Sequence, residues 1–136
     1  MKMIYFDMDG TLNHFYKGTW LEDILAESVR PYEVADCVVK ESILLDLIKQ
    51  GYKLGIVSWL AKGASKSYDK AVRKAKIEWL ANNYPNVHFD EIHIVKYGTP
   101  KFSVVRHRDG ILYDDEERNR NQWKGIAIDA KVLREI

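Results

Sequence analysis

Asp7 and Asp9 stand two residues apart just after the apolar run Met3-Ile4-Tyr5-Phe6. Residues two apart in extended chain project to the same side, so the two carboxylates converge on one point. A second acidic pair, Asp114-Asp115, closes another apolar run, Ile111-Leu112-Tyr113. Carboxylates gathered this way repel one another unless a cation or a proton compensates them. Every candidate ligand is an oxygen, which suits magnesium, a hard ion that favours octahedral geometry and keeps waters. Calcium fits the ligand type equally, but no twelve-residue loop with its oxygen periodicity is present.

Two further residue types complete a phosphate-handling set. Ser58 ends the run Leu54-Gly55-Ile56-Val57, and a lysine follows the run Ile92 to Val95, either Lys96 at once or Lys101 after Pro100. Lys101 is the favoured of the two, being closer to the acidic pair. Bland readings stand beside these. Asp9-Gly10 punctuates a turn in many proteins, and Asp114 to Glu117 could simply open a helix, where acidic side chains favour the positive end of the dipole. That reading accounts for Glu116 and Glu117 better than for Asp114. Ser58 could merely terminate its strand, with Trp59 packing on a loop.

The elements that must position these residues follow from the hydrophobic pattern. Short apolar runs at Met3–Phe6, Leu54–Val57, Glu91–Val95, Ile111–Tyr113 and Ile126–Ile128 alternate with helical segments, the mark of a parallel sheet covered on both faces. In such sheets ligands bind beyond the carboxyl ends of the strands, where the polar residues above fall. Ile43, Leu44, Leu47 and Ile48 share a helical face before Gly51, and Tyr68, Val72, Ala75 and Trp79 recur at helical spacing. The second helix also carries Lys66, Lys70, Arg73, Lys74 and Lys76, read as its solvated face. Thr19 is placed to cap a shorter helix through Trp20, Ile24 and Leu25, ending before Arg30-Pro31.

The chain of 136 residues fits a single domain spanning 1–136, with 46% apolar and 30% charged residues typical of a soluble globular protein. Lysine and arginine total 21 against 20 acidic residues, so no global charge draws the chain to nucleic acid or to an anionic membrane. No stretch approaches the roughly 20 apolar residues needed to span a bilayer, and a cytoplasmic location is expected. Cys37, the one cysteine, sits among valines and reads as a buried structural thiol. His14, His88, His93 and His107 lack the paired spacing of a transition-metal site. His14 follows the acidic loop together with Phe15, Tyr16 and Trp20, a segment that either packs on itself or stacks on a substrate ring.

Together Asp7-Met8-Asp9-Gly10-Thr11, Ser58, Lys101 and Asp114-Asp115 resemble the ordered motifs of the haloacid dehalogenase (HAD) superfamily. The resemblance spans nearly the whole chain and implies a Rossmann-like HAD fold: α/β, three-layer α/β/α, with a mainly parallel five-stranded sheet. It further implies a magnesium-dependent phosphatase. Asp7 would attack phosphorus, and Asp9 would protonate the leaving oxygen and later activate water. Ser58, Lys101, Met8, Gly10 and Thr11 would hold the phosphoryl group, and Asp7, Asp9 (through its carbonyl), Asp114 and Asp115 the Mg2+. Members usually carry a cap domain, whereas here residues 12–34 leave room only for a short flap. The acidic loop, the acidic doublet and the lysine spacing look like the small 5'(3')-deoxyribonucleotidase branch and its phage or bacterial relatives. The chain departs from that branch at Ser58-Trp59, where proline often follows the hydroxyl residue, and in its shorter cap.

The leading expectation is therefore a phosphomonoesterase acting on a small phosphorylated substrate such as a nucleotide. A phosphoacceptor module without turnover uses similar residues, but receiver domains place the phosphorylated aspartate after a middle strand and lack a second aspartate two residues on. Processing of nucleic-acid ends is a third reading, which would use the basic face of Lys66 to Lys76.

Overall fold

The computed structural model describes residues 2–135. Five strands form one parallel sheet: β1 (Lys2–Phe6), β4 (Tyr52–Trp59), β5 (Glu91–Val95), β6 (Ile111–Asp114) and β7 (Ala127–Asp129), in the spatial order β5-β4-β1-β6-β7. The chain runs from β1 outward to β4 and β5, then returns to the other side of β1 for β6 and β7. That reversal makes a switch point at the carboxyl end of β1, where an open α/β sheet leaves a crevice for a ligand. All five expected strands are found, each within two residues of its apolar run.

Alternation along β1 divides the core. Ile4 and Phe6 join Leu54 and Ile56 beneath Leu44 of α3 (Glu41–Lys49) and Trp79 and Leu80 of α4 (Lys66–Asn83). Met3 and Tyr5 face the other way, onto Val57, Leu112, Val105 and Trp123. Here the third layer is thin, made of the segment after Lys101 and of α5 (Glu117–Gln122). Burying one such large apolar side chain contributes about 1.5–3 kcal/mol, so both faces matter to stability.

One row across the sheet explains how the segment after Lys101 is fixed. Tyr5, Gly55 and Glu91 are register partners on β1, β4 and β5. A Cβ at Gly55 would come within 2.8 Å of the Tyr5 ring, so only glycine lets the ring lie there. The Tyr5 hydroxyl thereby donates to Glu91 at 2.8 Å and accepts from the His107 amide at 3.1 Å. Glu91 also accepts from the Arg106 amide at 3.0 Å and pairs with His93 Nε2 at 2.8 Å.

Between β1 and α3 lie a two-stranded ribbon, β2 (Asn13–His14) with β3 (Asp36–Cys37), and two short helices, α1 (Trp20–Leu25) and α2 (Arg30–Val34). These include the segment expected as a flap. Phe15 and Tyr32 pack it against Leu60, Tyr68, Val72 and Ala75, and the Tyr68 hydroxyl donates to the Ser28 carbonyl at 2.7 Å. Thr19 precedes α1 as expected, yet its hydroxyl donates to Asp23 rather than capping an amide. Pro31 opens α2 instead of merely ending what precedes it, because proline's fixed φ suits a first helical turn.

Cys37 corrects one expectation: it is exposed, not buried, because β3 belongs to the outer ribbon and not to the sheet. Its valine neighbours divide, Val39 entering the core while Cys37 stays outside with its thiol donating to the Val39 carbonyl. Among the described residues no helix is long and apolar enough to cross a membrane.

Candidate active site

Asp7 leaves β1 with its amide still donating to Tyr113 of β6 at 3.0 Å, so the sheet's own hydrogen bonding fixes where its side chain begins. Thr11 donates to Asp7 Oδ2 at 3.2 Å, and the Met8 carbonyl accepts the amides of Thr11 and Leu12, closing the loop into a tight turn. Gly10 sits at φ +85°, and a Cβ there would collide with the Asp115 carboxylate. The positive φ is what calls for glycine, and the Asp115 carboxylate would have to move aside for any side chain. The Met8 side chain is in the core, leaving only its backbone to face a ligand.

Lys101 supplies the first buried cation. Its ammonium donates to Asp7 Oδ1 at 2.9 Å and to Asp114 Oδ2 at 2.7 Å, and the side chain is 3% exposed. Burial opposes its charge, but the two carboxylates more than offset that and hold it above its ordinary range. Of the two candidate lysines this is the one the structure brings to the acidic cluster; Lys96 is exposed beside a neighbouring recess. Asp114 also accepts from the Glu116 amide and from Asn119 Nδ2.

Lys76 supplies the second, and the sequence reading missed it. Assigned to the solvated face of α4, it is instead 1% exposed, and its three protons go to Asp9 Oδ2 at 2.8 Å, Ser58 Oγ at 2.8 Å and the Trp59 carbonyl at 2.7 Å. The signal was present: Lys76 lies four residues after Val72 and four before Leu80, inside the buried stripe rather than opposite it. Lys66, Lys70, Arg73 and Lys74 are exposed as expected. Asn119 was also missed. It is buried, and its Oδ1 has no partner among the described residues, an acceptor left over inside the site.

Oxygens of Asp7, Asp114 and Asp115 lie within 4.8 Å of one another. Desolvation first, and Asp7's charge second, push the carboxyl of the buried Asp114 above the ordinary carboxylate range, and that of Asp115, whose residue is exposed, in the same direction, since Lys101 alone does not neutralise three acids. An oxygen-only donor set short of positive charge fits a magnesium ion. Asp9 directs its carboxylate away from this cluster, toward Lys76 and Asn13.

Above the acids opens a cleft of about 430 Å³ with Asp7, Asp9, Ser58 and Lys101 at its base. Phe15, Tyr16, Trp20 and Tyr32 form one wall and Trp59 and Tyr97 another. The aromatic flap therefore both packs on itself and lines the cleft, while His14 is exposed and borders a separate recess behind Tyr16. Trp59 donates to the Thr99 carbonyl at 2.7 Å, which ties the cleft wall to the loop before Lys101.

No protein-family model matches the chain, and no curated protein matches it. Solved structures do. A D,D-heptose 1,7-bisphosphate phosphatase from Burkholderia thailandensis superposes with a TM-score of 0.56 at 13% identity, over 98% of this chain and 74% of its own. The D,D-heptose 1,7-bisphosphate phosphatase from B. bronchiseptica, complexed with magnesium and phosphate, gives 0.57 at 15% identity, over 90% and 74%. At these identities the likeness is one of fold, and the fold is the one the motif resemblance implied.

Proposed function

We propose that this chain is a magnesium-dependent phosphomonoesterase that works through an aspartyl phosphate on Asp7 and accepts leaving groups with a planar ring, nucleotides foremost. The observation that carries the reading is the division of cations at the base of the cleft: Lys101 on Asp7 and Asp114, Lys76 on Asp9 and Ser58. Phosphoryl transfer needs positioned positive charge and donors around the equatorial oxygens more than it needs covalent versatility.

Asp7 bonds to phosphorus as the bond from phosphorus to the leaving oxygen breaks, and Asp9 gives that oxygen a proton. Asp9 then takes a proton from water, the water oxygen bonds to phosphorus, and the bond to Asp7 breaks to release inorganic phosphate. Asp7, Asp114 and Asp115 would hold the magnesium ion, which would supply positive charge against the phosphoryl oxygens. Lys101 keeps Asp7 aimed through its hydrogen bond to Oδ1. Ser58, at the base of the cleft, would give a phosphoryl oxygen its hydrogen bond, and Lys76 holds Ser58 and Asp9 in place for the transfer. A phosphoacceptor without turnover has no use for Asp9 or for an aromatic cleft.

The test is phosphate release in magnesium from nucleoside monophosphates, sugar phosphates and an aryl phosphate. Nucleotides and the aryl ester are expected to turn over faster than the sugar esters. The opposite order would remove the aromatic-leaving-group part of the reading.

A further inference from the structure

Two cations against the aromatic wall of the cleft, Lys62 lining it and Arg118 stacked on its rings, are used neither by the acidic cluster nor by the transfer step. Arg118 of α5 sets its guanidinium 4.9 Å from the Trp59 ring centre and 5.8 Å from that of Tyr97. Lys62, in the loop after β4, brings its ammonium 5.8 Å from the Tyr97 ring. The two rings are themselves in contact, their centres 4.9 Å apart, and the Trp59 ring also lies 5.6 Å from the Lys101 ammonium. One aromatic pair thus spans from the buried lysine at the base to Arg118 and Lys62.

The charges of Arg118 and Lys62 are weakly answered. Glu116 stands 3.5 Å from Arg118 with both side chains about half exposed, and no carboxylate among the described residues lies within ion-pair distance of Lys62. A guanidinium lying on an aromatic face keeps its edge donors available for an anion, for which Arg118 would have to exchange Glu116. At the aromatic wall Lys62 and Arg118 face a single carboxylate, Glu116, whereas the base of the cleft is acidic.

Building on the phosphomonoesterase reading, we propose that Arg118 and Lys62 are specificity residues for a leaving group that bears a second phosphate at its far end. The phosphate to be removed lies at Asp7, the ring lies against Trp59 and Tyr97, and the second phosphate lies between Arg118 and Lys62. That second group is either a phosphomonoester on the same nucleoside or the first phosphodiester of a strand.

The test compares kcat/KM in magnesium for a nucleoside 5'-monophosphate, a nucleoside 3',5'-bisphosphate and a 5'-phosphorylated dinucleotide. Wild type is expected to favour at least one doubly anionic substrate about fivefold to tenfold, the scale of two half-exposed charge pairs. Which of the two it favours identifies the source of the second phosphate. Arg118→Gln with Lys62→Gln should bring the ratio close to one, Arg118→Lys should keep most of it, and added salt should erode it. A ratio of one in wild type, or a preference that survives both glutamines, overturns the proposal. Calorimetric binding of the same compounds to Asp7→Asn separates it from the reading it rests on. A chain that hydrolyses none of them but binds the doubly anionic ones more tightly through Arg118 and Lys62 keeps this inference and loses the phosphatase. Equal binding, with hydrolysis intact, does the reverse.

Discussion

Lys76 of α4 holds Asp9 across 2.8 Å, from a helix whose other basic residues face solvent. A lysine this deeply buried is stable only because all three of its protons are taken, and two of the three acceptors belong to the candidate machinery. Lys76→Met is therefore expected to lower kcat/KM by about a hundredfold or more, the range for losing one preorganised donor in a transfer site. The check is steady-state kinetics together with the melting temperature. A loss of melting temperature with unchanged kinetics would reduce Lys76 to a structural ion pair.

The acidic cluster couples metal to stability. Asp114 and Asp115 have folded-state pKa values raised above the ordinary carboxylate value, so the metal-free fold binds protons more tightly than the unfolded chain does. Their contribution to its stability then falls as pH rises from about 4 to about 8. A magnesium ion bound there would remove that penalty by replacing the proton. Calorimetry at pH 5.5 and 7.5 should show a larger magnesium-dependent rise in melting temperature at 7.5, and chelation should abolish it.

Glu91 behaves in the opposite sense. Burial works to raise its pKa, but the donors His93, the Arg106 amide and Tyr5 prevail and the folded value is lowered. Its contribution is present above the unfolded pKa and is lost as pH falls through the folded one. Glu91→Gln should cost about 1–3 kcal/mol near neutral pH and flatten the acid limb of the stability curve. Because Glu91 and Tyr5 hold the amides of Arg106 and His107, faster hydrogen exchange in that segment is expected as well.

Gly10→Ala forces a side chain into a backbone conformation at φ +85° and against the Asp115 carboxylate. Magnesium affinity is expected to fall at least tenfold, read by titration calorimetry, with a smaller loss of melting temperature.

The sheet was legible because each strand is a short apolar run ending in a polar residue, and the motif residues sit at those ends. Asp7, Ser58 and Asp114 could be placed on one edge for the same reason, because strand ends can be located along one chain, whereas Lys101, beyond the end of β5, rested on its spacing from the acidic pair. Lys76 and Asn119 were missed, because each comes from a helix and its role depends on which face turns inward. A charged residue on a helix defaults to the outer face unless its place in the buried stripe is counted. Cys37 failed in the converse way, a small apolar residue among valines that a two-residue ribbon carries outside the core. The Tyr5–Gly55–Glu91 row could not be read at all without the strand order.

Phosphate release from an aryl phosphate in magnesium, by wild type and by Asp7→Asn side by side, tests the central claim most directly. Magnesium-dependent turnover by wild type and none above background by Asp7→Asn is the expected result. Full activity in the variant would contradict the assignment of Asp7 as the nucleophile.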